Sequence, residues 1–180
     1  MYCYHCMNEI REGDFCTYCM RENQDKNEPH QLKAGTMLNG KYIVGNVLGE
    51  GGFGITYIGL DTTLDLCVAI KEYFPNGRAN RNHETENRVV VTNSKNLDFF
   101  KNGKEKFLVE TKNIARFSKE KGVVDVRDYF EENDTAYIIM EYLEGQTLGE
   151  FVRHNSDMDA TEEYQLYYNG NMEVIRAYGH

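Results

Sequence analysis

The sequence predicts an α+β fold: an antiparallel five-stranded sheet with one main helix, preceded by a small cysteine-bearing module. Three observations lead there. From residue 36 onward, short β-branched and aromatic runs alternate with turn-forming glycine, Asp and Asn residues. Phe100, Phe107, Ile114 and Phe117 recur at helical spacing. Ahead of both, Cys3-x-x-Cys6 and Cys16-x-x-Cys19 stand nine residues apart.

In chain order, the cysteine module comes first, over residues 1–20. Two chelating pairs at this spacing let a small hairpin close a tetrahedral thiolate site, for which zinc is the natural metal, with Cys3, Cys6, Cys16 and Cys19 as ligands. Twenty residues cannot bury a core, so metal binding would supply the folding free energy. The pattern resembles short zinc ribbons, although Met7 and Met20 stand where glycine often follows such pairs. His5 lies between two better ligands and is expected to be exposed. A flexible tail with incidental thiols, or a redox pair, is the weaker alternative. Residues 21–35 are polar, contain Pro29 and show no apolar periodicity, so they read as a flexible linker.

Strand signals follow in Lys41-Tyr42-Ile43-Val44, Ile55-Thr56-Tyr57-Ile58 and Leu66-Cys67-Val68-Ala69-Ile70, the last two separated by the turn-prone Asp61-Thr62-Thr63. Residues 72–96 form a polar connection with a Pro75-Asn76-Gly77 turn and an extra strand at Arg88-Val89-Val90-Val91-Thr92. The helix is predicted from about Gly103 to Ser118, with an apolar face that needs a sheet to cover. Strands at 123–130 and 135–140 come next, joined by Glu131-Glu132-Asn133-Asp134. Thr147-Leu148-Gly149-Glu150 has capping-box spacing and predicts a short helix through Arg153. Residues 154–180 form a tail of unclear structure, with a short helix around 160–168 as one option.

Composition narrows the function classes. The chain is 41% hydrophobic and 12% aromatic, enough for a core, and has no apolar run long enough to span a membrane. A net charge of −9 disfavours nucleic acid as a partner, because that affinity rests on Lys and Arg neutralising phosphates. The N-terminus, Met1-Tyr2-Cys3-Tyr4, lacks the basic start and apolar stretch of a secretory signal, which predicts a reducing, cytoplasmic location.

The strongest functional signal is Gly49-Glu50-Gly51-Gly52-Phe53-Gly54 between two strands. Glycines suit a backbone that turns tightly and approaches a polyphosphate closely. A dinucleotide-binding loop would open a helix, but Ile55-Thr56-Tyr57-Ile58 continues as a strand; nor does a lysine follow Gly54 directly. Lys71 ends Val68-Ala69-Ile70-Lys71 on the next strand, and Glu110 sits on the predicted helix near the inward-facing Phe107 and Ile114.

Loop, lysine, helix glutamate and the segment Tyr137-Ile138-Ile139-Met140-Glu141-Tyr142-Leu143-Glu144-Gly145 occur in the order of the protein kinase family. Residues 36–153 resemble the amino-terminal lobe of bacterial serine/threonine kinases. The resemblance implies ATP as cofactor, with magnesium in complete members. It implies that Leu48, Gly49, Glu50, Gly51, Gly52, Phe53, Gly54 and Thr56 cover the nucleotide, where Thr56 replaces the family's usual valine. Ala69 would line the adenine roof, Met140 the gatekeeper position, and Glu141 and Leu143 the backbone contacts to adenine. Lys71 would hold the phosphates and Glu110 would pair with it. Cys67 reads as a small buried hydrophobe.

A complete kinase domain needs roughly 250 residues or more. These 180 contain no His-Arg-Asp catalytic loop and no Asp-Phe-Gly metal motif. The expectation is a kinase domain truncated before its catalytic lobe and inactive alone, through a premature stop, a frameshift or fragmentation. The alternative is a non-catalytic module that binds nucleotide, or a protein partner through its zinc ribbon or exposed lobe underside.

Overall fold

The computed structural model describes residues 1–11, 14–81, 87–117, 120, 122–147, 164–168 and 173–177. Its centre is a six-stranded antiparallel sheet of β3 (Met37–Leu38), β4 (Tyr42–Gly51), β5 (Gly54–Asp61), β6 (Leu66–Tyr73), β9 (Val126–Glu132) and β10 (Thr135–Glu141), in the order β3-β4-β5-β6-β10-β9. Five of these strands were legible in the sequence. The sixth, β3, is a two-residue edge pairing to β4 through Met37↔Ile43 and Leu38↔Tyr42. Ahead of the sheet, β1 (Phe15–Cys16) and β2 (Arg21–Glu22) form the ribbon hairpin.

Turn chemistry sets the registers. Asn133 and Asp134 both take positive φ, 54° and 60°, the type I′ signature that matches strand twist, so Glu131 and Glu132 belong to β9 rather than to the turn. Asp61 is the last residue of β5, and its carboxylate accepts the Thr63 and Leu64 amides at 2.9 and 3.2 Å, closing the link to β6.

The helix α1 (Leu97–Ala115) begins six residues before the predicted start at Gly103 and ends before Phe117, which is exposed. A 3-10 turn at Ser94–Asn96 starts it, capped by Asn93, whose side chain accepts the Lys95 amide at 3.0 Å. Phe100 and Thr111 are its buried residues, and Phe100 and Phe107 meet Tyr73 of β6 with ring centroids 5.2 and 5.6 Å apart. The extra strand forms at β8 (Val89–Val91), pairing with β7 (Ala79–Arg81) as a separate hairpin.

Residues 23–35 lie against the sheet instead of forming a flexible tether. Leu32 is fully buried in the main core, and its amide donates to the Tyr57 hydroxyl at 3.0 Å. The Asn27 side chain donates to the Leu32 and Gly45 carbonyls at 2.7 and 3.0 Å and accepts the Val47 amide.

Beneath this strap the core holds an ion pair. Glu72 and Arg81 have fully buried side chains joined in a two-pronged contact. Tyr57 and Tyr137 donate to the Glu72 carboxylate at 2.9 and 3.0 Å, and Arg81 also donates to the His30 and Asn87 carbonyls. Burial, reinforced by the Glu72 charge, pushes both tyrosines far above the usual phenol range, so they remain donors.

Toward the C-terminus, β12 (Tyr164–Tyr168) and β13 (Glu173–Ala177) pair antiparallel, and β13 also pairs with β11 (Gln146–Thr147). The optional helix at 160–168 is therefore replaced, in its described part, by a strand. Three tyrosines in five residues favour extended backbone. Thr147 ends β11, and the rest of the capping-box helix to Arg153 lies outside the described residues.

Candidate functional site

The β4–β5 hairpin places the glycine loop over a cleft between the sheet and α1. Gly49 pairs with Thr56, Glu50 with Ile55 and Gly51 with Gly54, leaving Gly52 and Phe53 as the tip. A β-carbon at Gly51 or Gly52 would meet nothing within 4 Å, so those glycines face open space that a ligand can occupy. Gly54 has a different reason: a β-carbon there would collide with the Glu72 carbonyl on β6.

Lys71 and Glu110 both line the cleft, which has a volume of about 530 Å³ and is walled by Phe53, Tyr73, Phe107, Ile138 and Met140. That volume suits a nucleotide-sized ligand. Burial lowers the Lys71 pKa, and the negative charge of Glu110 partly opposes the shift. β6 brings Lys71 opposite Thr56 of β5 and Ile138 of β10. Two residues along, Ala69 stands opposite Met140, and both pack with Leu143 and Val124. The Glu141 amide donates to the Asp125 carbonyl at 2.9 Å, and its carboxylate accepts the Asp125 amide at 3.0 Å. Leu48 is partly exposed at the loop's entry. Every residue read from the sequence as nucleotide-contacting thus lies on the glycine hairpin, β6, α1, or β10 and the segment that follows it.

Four loop-holding residues were missed. His30 and Gln31 of the strap reach the Glu50 carboxylate at 3.0 and 2.8 Å. The Phe74 and Asn76 amides donate to the Phe53 and Gly52 carbonyls, each at 3.1 Å. The Pro75-Asn76-Gly77 turn was visible in sequence, but its contact with the glycine loop, some 20 residues upstream, has no local signal.

The second site is the cysteine cluster. The four sulfurs of Cys3, Cys6, Cys16 and Cys19 lie within 4.8 Å of one another, with Cys3–Cys19 at 3.7 Å and Cys6–Cys16 at 3.6 Å. A tetrahedron with zinc–sulfur bonds of about 2.3 Å has edges of about 3.8 Å, so the donor set fits that ion. Burial opposes ionisation of Cys16, but the Cys19 and Tyr18 amides and the neighbouring thiols bring it down to about 7, whereas burial and the other three sulfurs push Cys19 up to about 12. His5 is no ligand; it is half-buried against Asn46, not exposed as expected, and burial lowers its pKa. Burial likewise pushes the Cys67 thiol up to about 12, as expected of an inert packing group.

Met7 and Met20 both take φ of 56°, the left-handed conformation that glycine would adopt without cost. Met7 is buried and Met20 exposed. Met20→Gly should therefore raise the stability of the zinc-loaded chain by about 0.5–1 kcal/mol in thermal denaturation, relieving strain at the loss of little packing.

No protein-family model matches the chain. Among curated proteins it is similar to serine/threonine-protein kinase B of Synechocystis sp., 31% identical over 121 residues, covering 66% of this chain and 18% of the relative. It is also similar to serine/threonine-protein kinase PrkC of Bacillus subtilis, 27% identical over 132 residues, covering 73% of this chain and 17% of the relative. The chain thus spans less than a fifth of the length of these relatives. Among solved structures, the apo form of PpkA-294 superposes with a TM-score of 0.64 at 33% identity, over 69% of this chain and 43% of that one.

Proposed function

We propose, for a chain homologous to bacterial serine/threonine protein kinases and built as their amino-terminal lobe, that the cleft beneath the glycine loop binds ATP. The observation that carries this reading is the convergence of Lys71 and Glu110 in one apolar cleft under two glycines with open space above it. In this reading Lys71 meets the phosphates, Glu110 orients it, and Leu48, Thr56, Ala69 and Met140 enclose the adenine. Backbone groups of Glu141 and Leu143 bond the adenine edge. Complete family members transfer the γ-phosphate to protein hydroxyls. The 180 residues contain neither the catalytic-loop aspartate motif nor the Asp-Phe-Gly motif, so by themselves they bind nucleotide without transferring phosphate.

The cysteine cluster holds zinc in this proposal, as a structural ion whose four thiolate ligands leave no open coordination position. A nucleotide- or protein-binding module without catalysis is the second reading, favoured by the same missing motifs.

Nucleotide binding is testable by thermal shift. At a ligand concentration one hundred times Kd, stabilisation is about 2.7 kcal/mol, a shift of several degrees. Lys71→Met should abolish this shift while leaving the melting temperature of the unliganded chain within a degree or two. An equal shift in wild type and variant would sink the assignment.

A further inference from the structure

The knuckle that carries Cys3 and Cys6 is also the surface by which the ribbon grips the sheet. The Tyr4 carbonyl, between those two ligands, accepts the Asn46 amide of β4 at 2.8 Å. The Asn46 side chain stands 3.2 Å from the His5 ring, donates to the Gln24 carbonyl at 3.1 Å and accepts the Lys26 amide at 3.2 Å. Met7 follows Cys6 directly, is 3% exposed and packs on Ile58 and Leu60 of β5. Gly45 makes room for it: a β-carbon there would overlap the Met7 methyl and come within 2.7 Å of the Tyr4 carbonyl oxygen.

These contacts fall on strands that build the cleft. Asn46 lies three residues before Gly49, and Ile58 lies two residues after Thr56, on the same side of β5. Cys67 of β6 and Tyr142, just beyond β10, join the Met7 cluster. One small knuckle therefore touches the entry strand of the glycine loop, its exit strand and the segment that follows β10.

We propose that metal occupancy of the four-cysteine site positions the glycine loop, with Met7, Gly45 and Asn46 as positioning residues, so that zinc and nucleotide bind cooperatively. This rests on the reading above that the cysteines hold zinc and the cleft holds ATP. The ribbon's own core is little more than Cys3, Ile10 and Cys16, too small to persist without an ion. On metal loss the Tyr4 carbonyl and the Met7 side chain leave β4 and β5 together. The Asn46 amide then loses its acceptor, and Ile58 and Leu60 are uncovered. By linkage, whatever factor zinc contributes to nucleotide affinity, nucleotide returns to zinc affinity.

The test uses the full chain. Zinc affinity is measured by competition with a chromophoric chelator, with and without a non-hydrolysable ATP analogue, and backbone amide exchange is followed with and without zinc. Nucleotide is expected to raise zinc affinity about fivefold or more. Zinc is expected to slow exchange of Asn46, Val47 and the glycine-loop amides about tenfold, while amides of the β9–β10 hairpin are unchanged. Met7→Gly keeps all four thiols and suits the left-handed backbone; it should bind one zinc per chain and lose both effects. Asn46→Ala, outside the ribbon, should weaken both and serves if Met7→Gly takes up no metal. A coupling factor of one in wild type with both ligands bound would overturn the inference, as would full coupling in both variants. Failure of zinc uptake or of nucleotide binding by wild type would instead refute the corresponding reading above. Without nucleotide binding, the exchange arm still decides whether the metal holds the loop.

Discussion

Arg81→Met is expected to destabilise the chain by about 3–5 kcal/mol, because it strands the Glu72 carboxylate in a core that offers it, among the described residues, two tyrosine hydroxyls and no other countercharge. Both side chains of the pair are fully buried. Arg81 also ties the β7–β8 hairpin to the strap through the His30 carbonyl, so its loss releases the residues that hold the glycine loop from two sides. Denaturant unfolding of the variant against wild type measures the effect. The double change Glu72→Gln with Arg81→Met should recover most of it, since the glutamine carbonyl accepts from one tyrosine and its amide donates to the other's hydroxyl oxygen, without carrying a charge. A single variant within about 1 kcal/mol of wild type would show that the pair is not buried as described.

Removing zinc is expected to have the larger effect on the ribbon. Structural zinc contributes roughly 10–16 kcal/mol of apparent binding free energy in small metal-folded peptides, more than a module of this size can replace by packing. A strong chelator, or Cys16→Ser, should abolish stoichiometric metal and erase amide protection over residues 1–22, while the central sheet keeps its strand content and melts at a lower temperature. The ligands must be deprotonated to bind, so zinc uptake should release protons and its affinity should fall as pH drops. Metal-free chain whose ribbon amides stay protected would refute a metal-dependent fold.

Much of the fold was legible because its signals are local. Strand alternation, the Asn133-Asp134 turn and the period of Phe100, Phe107 and Ile114 each report on a few neighbouring residues. The helix start escaped this reading because Phe99 falls off the apolar period and the cap is supplied by Asn93, inside a stretch that looks like polar connection. The strap escaped it because a single apolar residue, Leu32, anchors it, and one residue has no periodicity. Glu72 and Arg81 carry no local signal of burial, since only the closing of strap and hairpin over them removes water.

The glycine spacing, the lysine on its strand, the helix glutamate and the paired cysteines were determined by the sequence alone, because each chemistry demands particular residue types at short fixed intervals. Tertiary structure decided which glycines face open space and which faces a strand, that His30, Gln31, Phe74 and Asn76 hold the loop, and that Met7 seats the cysteine knuckle beside it. Those contacts join residues far apart in the chain, and their free energy exists only once the sheet has brought them together and excluded water.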